Sequence, residues 1–211
     1  MEILKLLTNP LSFLPNNKLV KQIKLIKFRK AIRNSPLRIV VGSSNIYQQG
    51  WAASEIYFLN LLHEKGWKKF FNKNSIDAIL AEHVWEHLSK KEGIKAAKLC
   101  YSYLKYGGYL RVAVPDGNHP IKEYLDWVKP KGKGPGAYDH KVLYTYQTFA
   151  DLFKSVGFSV NLFEYFDNKG KFRYTNWNPN EGMIYRSAKF DKRNSSGTLA
   201  YTSIILDAKK S

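Results

Sequence analysis

The chain of 211 residues has a single cysteine, Cys100, so no internal disulfide can form. Such sparing use fits a reducing, cytoplasmic setting. Long apolar runs are missing too, and none approaches the roughly 18 residues of a membrane span. The first 20 residues lack the basic start and apolar core of a secretory signal, because Asn9-Pro10 and Pro15-Asn16-Asn17 interrupt them. Acids are scarce: 17 against 34 Lys and Arg, for a net charge of +17. That excess favours anionic partners and says nothing of fold. RNP and KH signatures are absent, so nucleic acid stays open as a partner without being favoured. A composition that is 44% hydrophobic and 15% aromatic excludes a disordered chain.

Positive charge is densest from Lys18 to Arg33, with seven Lys or Arg and no acid. Residues 1–34 read as a basic N-terminal extension. Its apolar residues scatter around a helical wheel, which favours packing on the main domain and leaves a membrane surface as the other option. The main domain is expected over 35–211. Leu37–Val41 reads as a buried strand and Trp51–Phe58 as a second. Glu64–Phe71 reads as a short helix, Asp77–Ala81 as a third strand, and Lys90–Lys105 as a helix ended by Gly107-Gly108. Strand Tyr109–Val114, weak helix Tyr124–Val128, helix Thr145–Val156, strand Phe158–Phe166 and last strand Leu199–Ala208 follow. KPKGKGPGAYDH, residues 129–140, is a Gly/Pro/Lys loop and a candidate lid. Residues near 167–198 form a turn-rich insertion with a hairpin. Strands alternating with helices imply an α/β, mostly parallel sheet with helices on both faces, and an antiparallel last strand.

Four stretches carry a family resemblance: LRIVVGSSN, GWAASE, SIDAILAEHVWEHL and YLKYGGYLRVAVPD. Together they resemble the class I S-adenosylmethionine-dependent methyltransferases, over roughly residues 37–208, and most closely small bacterial members of that superfamily. The resemblance implies a Rossmann-like fold, S-adenosylmethionine as cofactor and methyl transfer as the reaction. Two positions depart from the pattern. The usual G-x-G-x-G turn is Gly42-Ser43-Ser44, and Tyr106 stands where a Pro usually precedes Gly-Gly.

In open α/β sheets ligands sit beyond the carboxyl ends of the strands. Gly42 lies at such an end, where a residue without Cβ lets the backbone approach a ligand, and Ser43 and Ser44 add small hydroxyls. Glu55, thirteen residues on, is placed to accept from ribose hydroxyls, and Asn60 to meet an adenine edge. Glu82 and His83 fall beside a cationic sulfonium. Asp116, His119 and His140 are the candidates for orienting or deprotonating an acceptor, expected to be a small molecule, sugar or glycan precursor.

His83-x-x-Glu86-His87 also spells the H-x-x-E-H zinc-peptidase signature. That chemistry needs both His on one face of a continuous helix. A strand precedes His83, and a third ligand such as Glu164 would have to be nominated from afar. No metal is therefore expected, and Glu86 and His87 read as structural. Alternatives to a small-molecule enzyme are a methyltransferase fold that binds without catalysis, an RNA methyltransferase, and a zinc hydrolase.

Overall fold

The computed structural model describes residues 18–44, 46–195 and 197–211. Expectations for residues 1–17 and Asn45 lie outside the described residues. The strands are β1 (Arg38–Val40), β2 (Ala52–Ala53), β3 (Ile76–Glu82), β4 (Leu104–Pro115), β5 (Phe158–Phe166), β6 (Phe172–Tyr174) and β7 (Ser203–Lys210). The α-helices are α1 (Lys18–Ala31), α2 (Glu64–Phe70), α3 (Lys90–Tyr103), α4 (Lys122–Val128) and α5 (Tyr146–Lys154).

One seven-stranded sheet runs in the order β2-β1-β3-β4-β7-β5-β6. β2, β1, β3 and β4 pair in parallel, and the β4–β7, β7–β5 and β5–β6 pairs are antiparallel. The α/β class and the antiparallel last strand agree with the sequence reading. β1 lies between β2 and β3, so the winding reverses direction there. The carboxyl ends of β1 and β3 therefore flank a topological switch point, where open sheets bind ligands.

The two faces are covered differently. Ile39, Ile79, Val112 and Leu206 point into a large cluster with Phe28 of α1, Trp67 of α2, Ala97 and Cys100 of α3, and Phe149 and Phe153 of α5. Val40, Leu80, Ala113 and Ile205 face the other way, against Trp51, Trp177 and Ile184. Helices on both faces were expected. Among the described residues, the second face is instead covered by the insertion, in which no α-helix is formed. α4 joins a small cluster at the edge, where Tyr124 and Val128 meet Tyr201.

Buried charges hold that insertion down. Arg111 of β4 is 1% exposed. It pairs with Asp207 of β7 through Nε at 2.8 Å and Nη2 at 2.9 Å, a two-point fork. Its Nη1 donates to the carbonyls of Asn178 and Gly182, both at 2.9 Å. Glu164 of β5 accepts from Trp177 Nε1 at 2.9 Å and from the Ala188 N–H at 2.7 Å.

Several boundaries differ from the sequence reading, each for a local reason. β2 is two residues rather than Trp51–Phe58, because the Glu55 carbonyl receives the Phe58 and Leu59 N–H groups and turns the chain. α3 stops at Tyr103, and β4 starts at once. Gly107-Gly108 therefore lies within a strand bulge rather than at a helix end: a Cβ on Gly108 would meet the Asp77 carbonyl oxygen at 2.9 Å. β7 begins only at Ser203, because the Asn194 amide brackets Tyr201 from both sides and keeps that stretch out of the sheet. At the start of α3, Ser89 and Glu92 form a reciprocal capping box. No helix among the described residues is long and apolar enough to cross a membrane.

Removing Arg111 leaves the half-buried Asp207 without its partner and the Gly182 carbonyl without its donor. Arg111→Met is expected to lower stability by about 3–5 kcal/mol, measured by urea unfolding. A loss under about 1 kcal/mol would mean the insertion is held by packing alone.

Candidate active site

At the switch point β1 leads through Val41 to Gly42, whose φ of +62° suits glycine, and Ser44 follows at φ +49°. β3 ends in Glu82, and His83 turns the chain with φ +54°. A single 3₁₀ turn, Trp85–His87, comes next. Trp85 anchors it in the core, with its Nε1 donating to the Gly93 carbonyl at 3.2 Å. The left-handed residue aims His83 and Glu86 into a cavity of about 530 Å³. Gly42, Ser44, Glu82, His87 and His140 line it further, and Arg186, Arg193, Tyr201 and Trp127 complete the wall.

His140 arrives from far along the chain. The Glu86 carbonyl accepts the N–H groups of Lys141 at 2.7 Å and Val142 at 3.2 Å, which ties the end of the Gly/Pro/Lys loop to the 3₁₀ turn. Ring centroids of His87 and His140 then lie 4.8 Å apart. The His87 Nδ1–H donates to Asp139 Oδ1 at 2.7 Å, and the His140 Nδ1–H to the Val128 carbonyl at 2.7 Å. Both acceptors can only accept, so each neutral imidazole keeps its free lone pair on Nε2.

His83 is arranged the other way round. Ser203 Oγ donates its one proton to the Arg186 carbonyl at 2.7 Å. It must therefore accept from His83 Nε2, 2.9 Å away. His83 Nδ1 is left with a bare lone pair, 3.1 Å from Glu86 Oε1. That contact lacks hydrogen-bond geometry, and both buried Glu86 oxygens are without a partner. Burial pushes the Glu86 carboxyl up to about 7. Burial, with the Arg186 charge nearby, holds His83 well below its ordinary value.

The residues expected to bind a cofactor are divided between two hollows. Gly42, Ser44, Glu82 and His83 line the large cavity, while Ser43 and Glu55 line a neighbouring one of about 200 Å³ with Lys24 and Tyr47. Glu55 Oε1 receives Lys24 Nζ of α1 at 2.6 Å, and Ser43 Oγ stands 3.5 Å from it. Glu55 Oε2 has no hydrogen bond among the described residues.

Glu82 lines the cavity and also fastens the insertion, its two oxygens accepting the backbone N–H groups of Tyr185 at 3.2 Å and Arg186 at 2.8 Å. Asn60 is a turn former, its Oδ1 accepting the Leu62 N–H at 2.7 Å, and it lines neither hollow. Glu164, nominated as a zinc ligand, is the fastener already described.

Of the three acceptor-facing candidates, only His140 reaches the cavity. Asp116 is fully buried and accepts the N–H groups of Asn118 at 2.9 Å and Phe166 at 2.6 Å. His119 is buried too, stacked on Tyr124 with centroids 3.9 Å apart, and its Nε2 meets the Leu199 carbonyl at 3.2 Å. Both sit past the end of β4, but their side chains turn inward to organise the loop. Glu86 and His87, read as structural, line the cavity instead. The letters H-x-x-E-H marked them. Arg186, Arg193 and Tyr201 carried no comparable signal, because only the folded insertion brings them to the wall. Arg193 lies over the Tyr201 ring, 3.3 Å from its centroid, and is forked onto Asp191.

No family model matches the chain, and no curated protein matches it. Among solved structures it is similar to a SAM-dependent methyltransferase from Archaeoglobus fulgidus, at 16% identity and a TM-score of 0.47, over 90% of this chain and 94% of that one. A SAM-dependent methyltransferase from Thermotoga maritima matches at 15% identity and a TM-score of 0.47, over 92% of each chain. A geranyl diphosphate methyltransferase in complex with SAM matches at 9% identity and a TM-score of 0.45, over 93% and 92%. The likeness is one of chain layout.

Burial raises the Asp116 carboxyl to about 6, against the two N–H groups that lower it. The folded state thus holds this proton longer than the unfolded chain does. The resulting stabilisation is present at low pH and is lost as pH rises through about 6. Asp116→Asn cannot ionise, so its stability deficit relative to wild type should narrow from pH 4 to pH 7. Urea unfolding at both values checks this, and a deficit that widens would contradict it.

Proposed function

We propose that the chain binds S-adenosylmethionine at the switch point and transfers its methyl group to a hydroxyl of a small polar acceptor. A sugar or glycan precursor is the favoured class. The observation that carries this reading is the Gly42 turn at the head of the large cavity. Its positive φ and the close Val84 side chain, 3.0 Å from where a Cβ would stand, reserve the position for glycine. Such a turn lets a ligand lie against the backbone at the place where open α/β sheets bind.

The residues present fit that cofactor. Gly42 and Ser44 offer a backbone cradle, and Glu55 keeps Oε2 for a ribose hydroxyl beside the Ser43 turn. Bound S-adenosylmethionine supplies an electrophilic methyl on a sulfonium, and its transfer to a hydroxyl releases one proton. His83 Nδ1 holds a bare lone pair at the cavity that can accept a hydrogen bond from that hydroxyl and orient it, the proton leaving to solvent as the bond to carbon forms. Arg186 and Arg193 present donors at the wall for acceptor hydroxyls or anionic groups. Trp127 and residues 134–137 complete the lining of the cavity, where they can contact a bound acceptor.

Calorimetric titration with S-adenosylmethionine and S-adenosylhomocysteine tests the reading. Micromolar binding is expected, weakened at least about tenfold in Glu55→Ala, or roughly 1.4 kcal/mol. Gly42→Val should weaken it further. Folded protein that binds neither ligand at millimolar concentration would leave a methyltransferase-like fold without the enzyme.

A further inference from the structure

The geometry points to a divalent metal site on the cavity floor, formed by Glu86, His87 and His140, for a first-row transition ion of the Zn²⁺ or Mn²⁺ kind. One ligating atom from each of the three lies within 4.8 Å of the others. A cluster alone would not make a site, but two independent features point to a ligand. Glu86 is 1% exposed and aimed into the cavity with both oxygens unpartnered. Native structures rarely leave such groups without a reason. Each imidazole, meanwhile, is held from behind. Asp139 takes the His87 Nδ1–H and the Val128 carbonyl takes that of His140. Metal-binding histidines are characteristically oriented by such acceptors, which leave Nε2 bare.

Three potential ligand atoms thus gather at one place. His83 Nδ1 adds a fourth, 3.1 Å from Glu86 Oε1. Oxygen and imidazole donors facing one another repel unless something positive sits among them. Two histidines and one carboxylate are a borderline set, suited to zinc, manganese or iron with coordination positions left open, whereas magnesium prefers oxygen. The H-x-x-E-H letters thus contribute two ligands, Glu86 and His87. The third comes from 53 residues beyond His87, and not from His83.

The site itself stands apart from the methyl-transfer reading. Its use rests on that reading: a metal with open positions lowers the pKa of a hydroxyl it binds. Acceptors with neighbouring hydroxyls, able to chelate, follow as the substrate class.

The test is titration of chelator-treated protein, carrying no polyhistidine tag, with Zn²⁺, Mn²⁺ and Mg²⁺ in turn, first without S-adenosylmethionine. One equivalent of Zn²⁺ or Mn²⁺ should bind at micromolar concentration, more tightly than Mg²⁺, and should raise the melting temperature. His140→Gln and Glu86→Gln should weaken binding by about a hundredfold or more, and Asp139→Ala, behind His87, by about tenfold. Circular dichroism identifies a variant that fails to fold. His87→Gln then replaces it, since His87 is partly exposed and removable at little structural cost. No stoichiometric binding by folded wild type, equal preference for Mg²⁺, or affinity unchanged in folded ligand variants would each overturn the site. Metal binding without cofactor binding would keep the site and sink methyl transfer. Cofactor binding without metal would do the reverse.

Discussion

The structure depends on buried ionic groups that pin an irregular segment to an apolar sheet. β3 and β4 show Leu80 and Ala113 to a face on which, among the described residues, no α-helix packs. A loop can shield such a face only if its backbone groups find partners. Arg111, Glu164 and Glu82 supply them: they meet carbonyls at 178 and 182 and N–H groups at 185, 186 and 188. Trp177 and Ile184 can then fill the space an α-helix fills in a doubly wound sheet. The same fastening sets Arg186, Arg193 and Tyr201 on the cavity wall. Covering the sheet and building the site are therefore one event.

A second constraint shapes the floor. β1 and β3 both lead into left-handed backbone, at Gly42 and His83. Each turn brings the chain sharply away from the sheet and leaves a hollow at the switch point. At Gly42 the conformation costs little, whereas at His83 it is strained and must be held by its surroundings. The Ser203 and Arg186 contacts do that holding, and they also select the His83 tautomer. Two carbonyl bonds from Glu86 to residues 141 and 142 then bring His140 to a 3₁₀ turn far earlier in the chain.

Polarity within the site follows from which groups are already engaged. Glu82, Asp116 and Glu164 are acids near the ligand edge that already accept hydrogen bonds, Glu82 and Asp116 from backbone N–H groups and Glu164 from the Ala188 N–H and the Trp177 indole. Glu86 is the buried acid without a hydrogen-bond partner among the described residues, and it lies beside His83, His87 and His140 at the cavity.

The sequence by itself determined the α/β class and most strands and helices. Periodicity and β-propensity are local, and runs such as DAILA and YLRVAV leave little choice of partner environment. The glycine turn at Gly42 and the strand end before His83 were also visible as letters. Tertiary structure alone decided the rest. Where β7 starts and β2 stops depends on hydrogen bonds across turns, made by the Asn194 amide and the Glu55 carbonyl. Asp116 and His119 stand at a ligand edge in sequence, but side-chain direction sends them inward. Glu86 and His87 became neighbours of His140 because two carbonyl bonds close a long loop. A residue's type and spacing record what it can offer; only the folded chain shows whether a backbone N–H has already taken it.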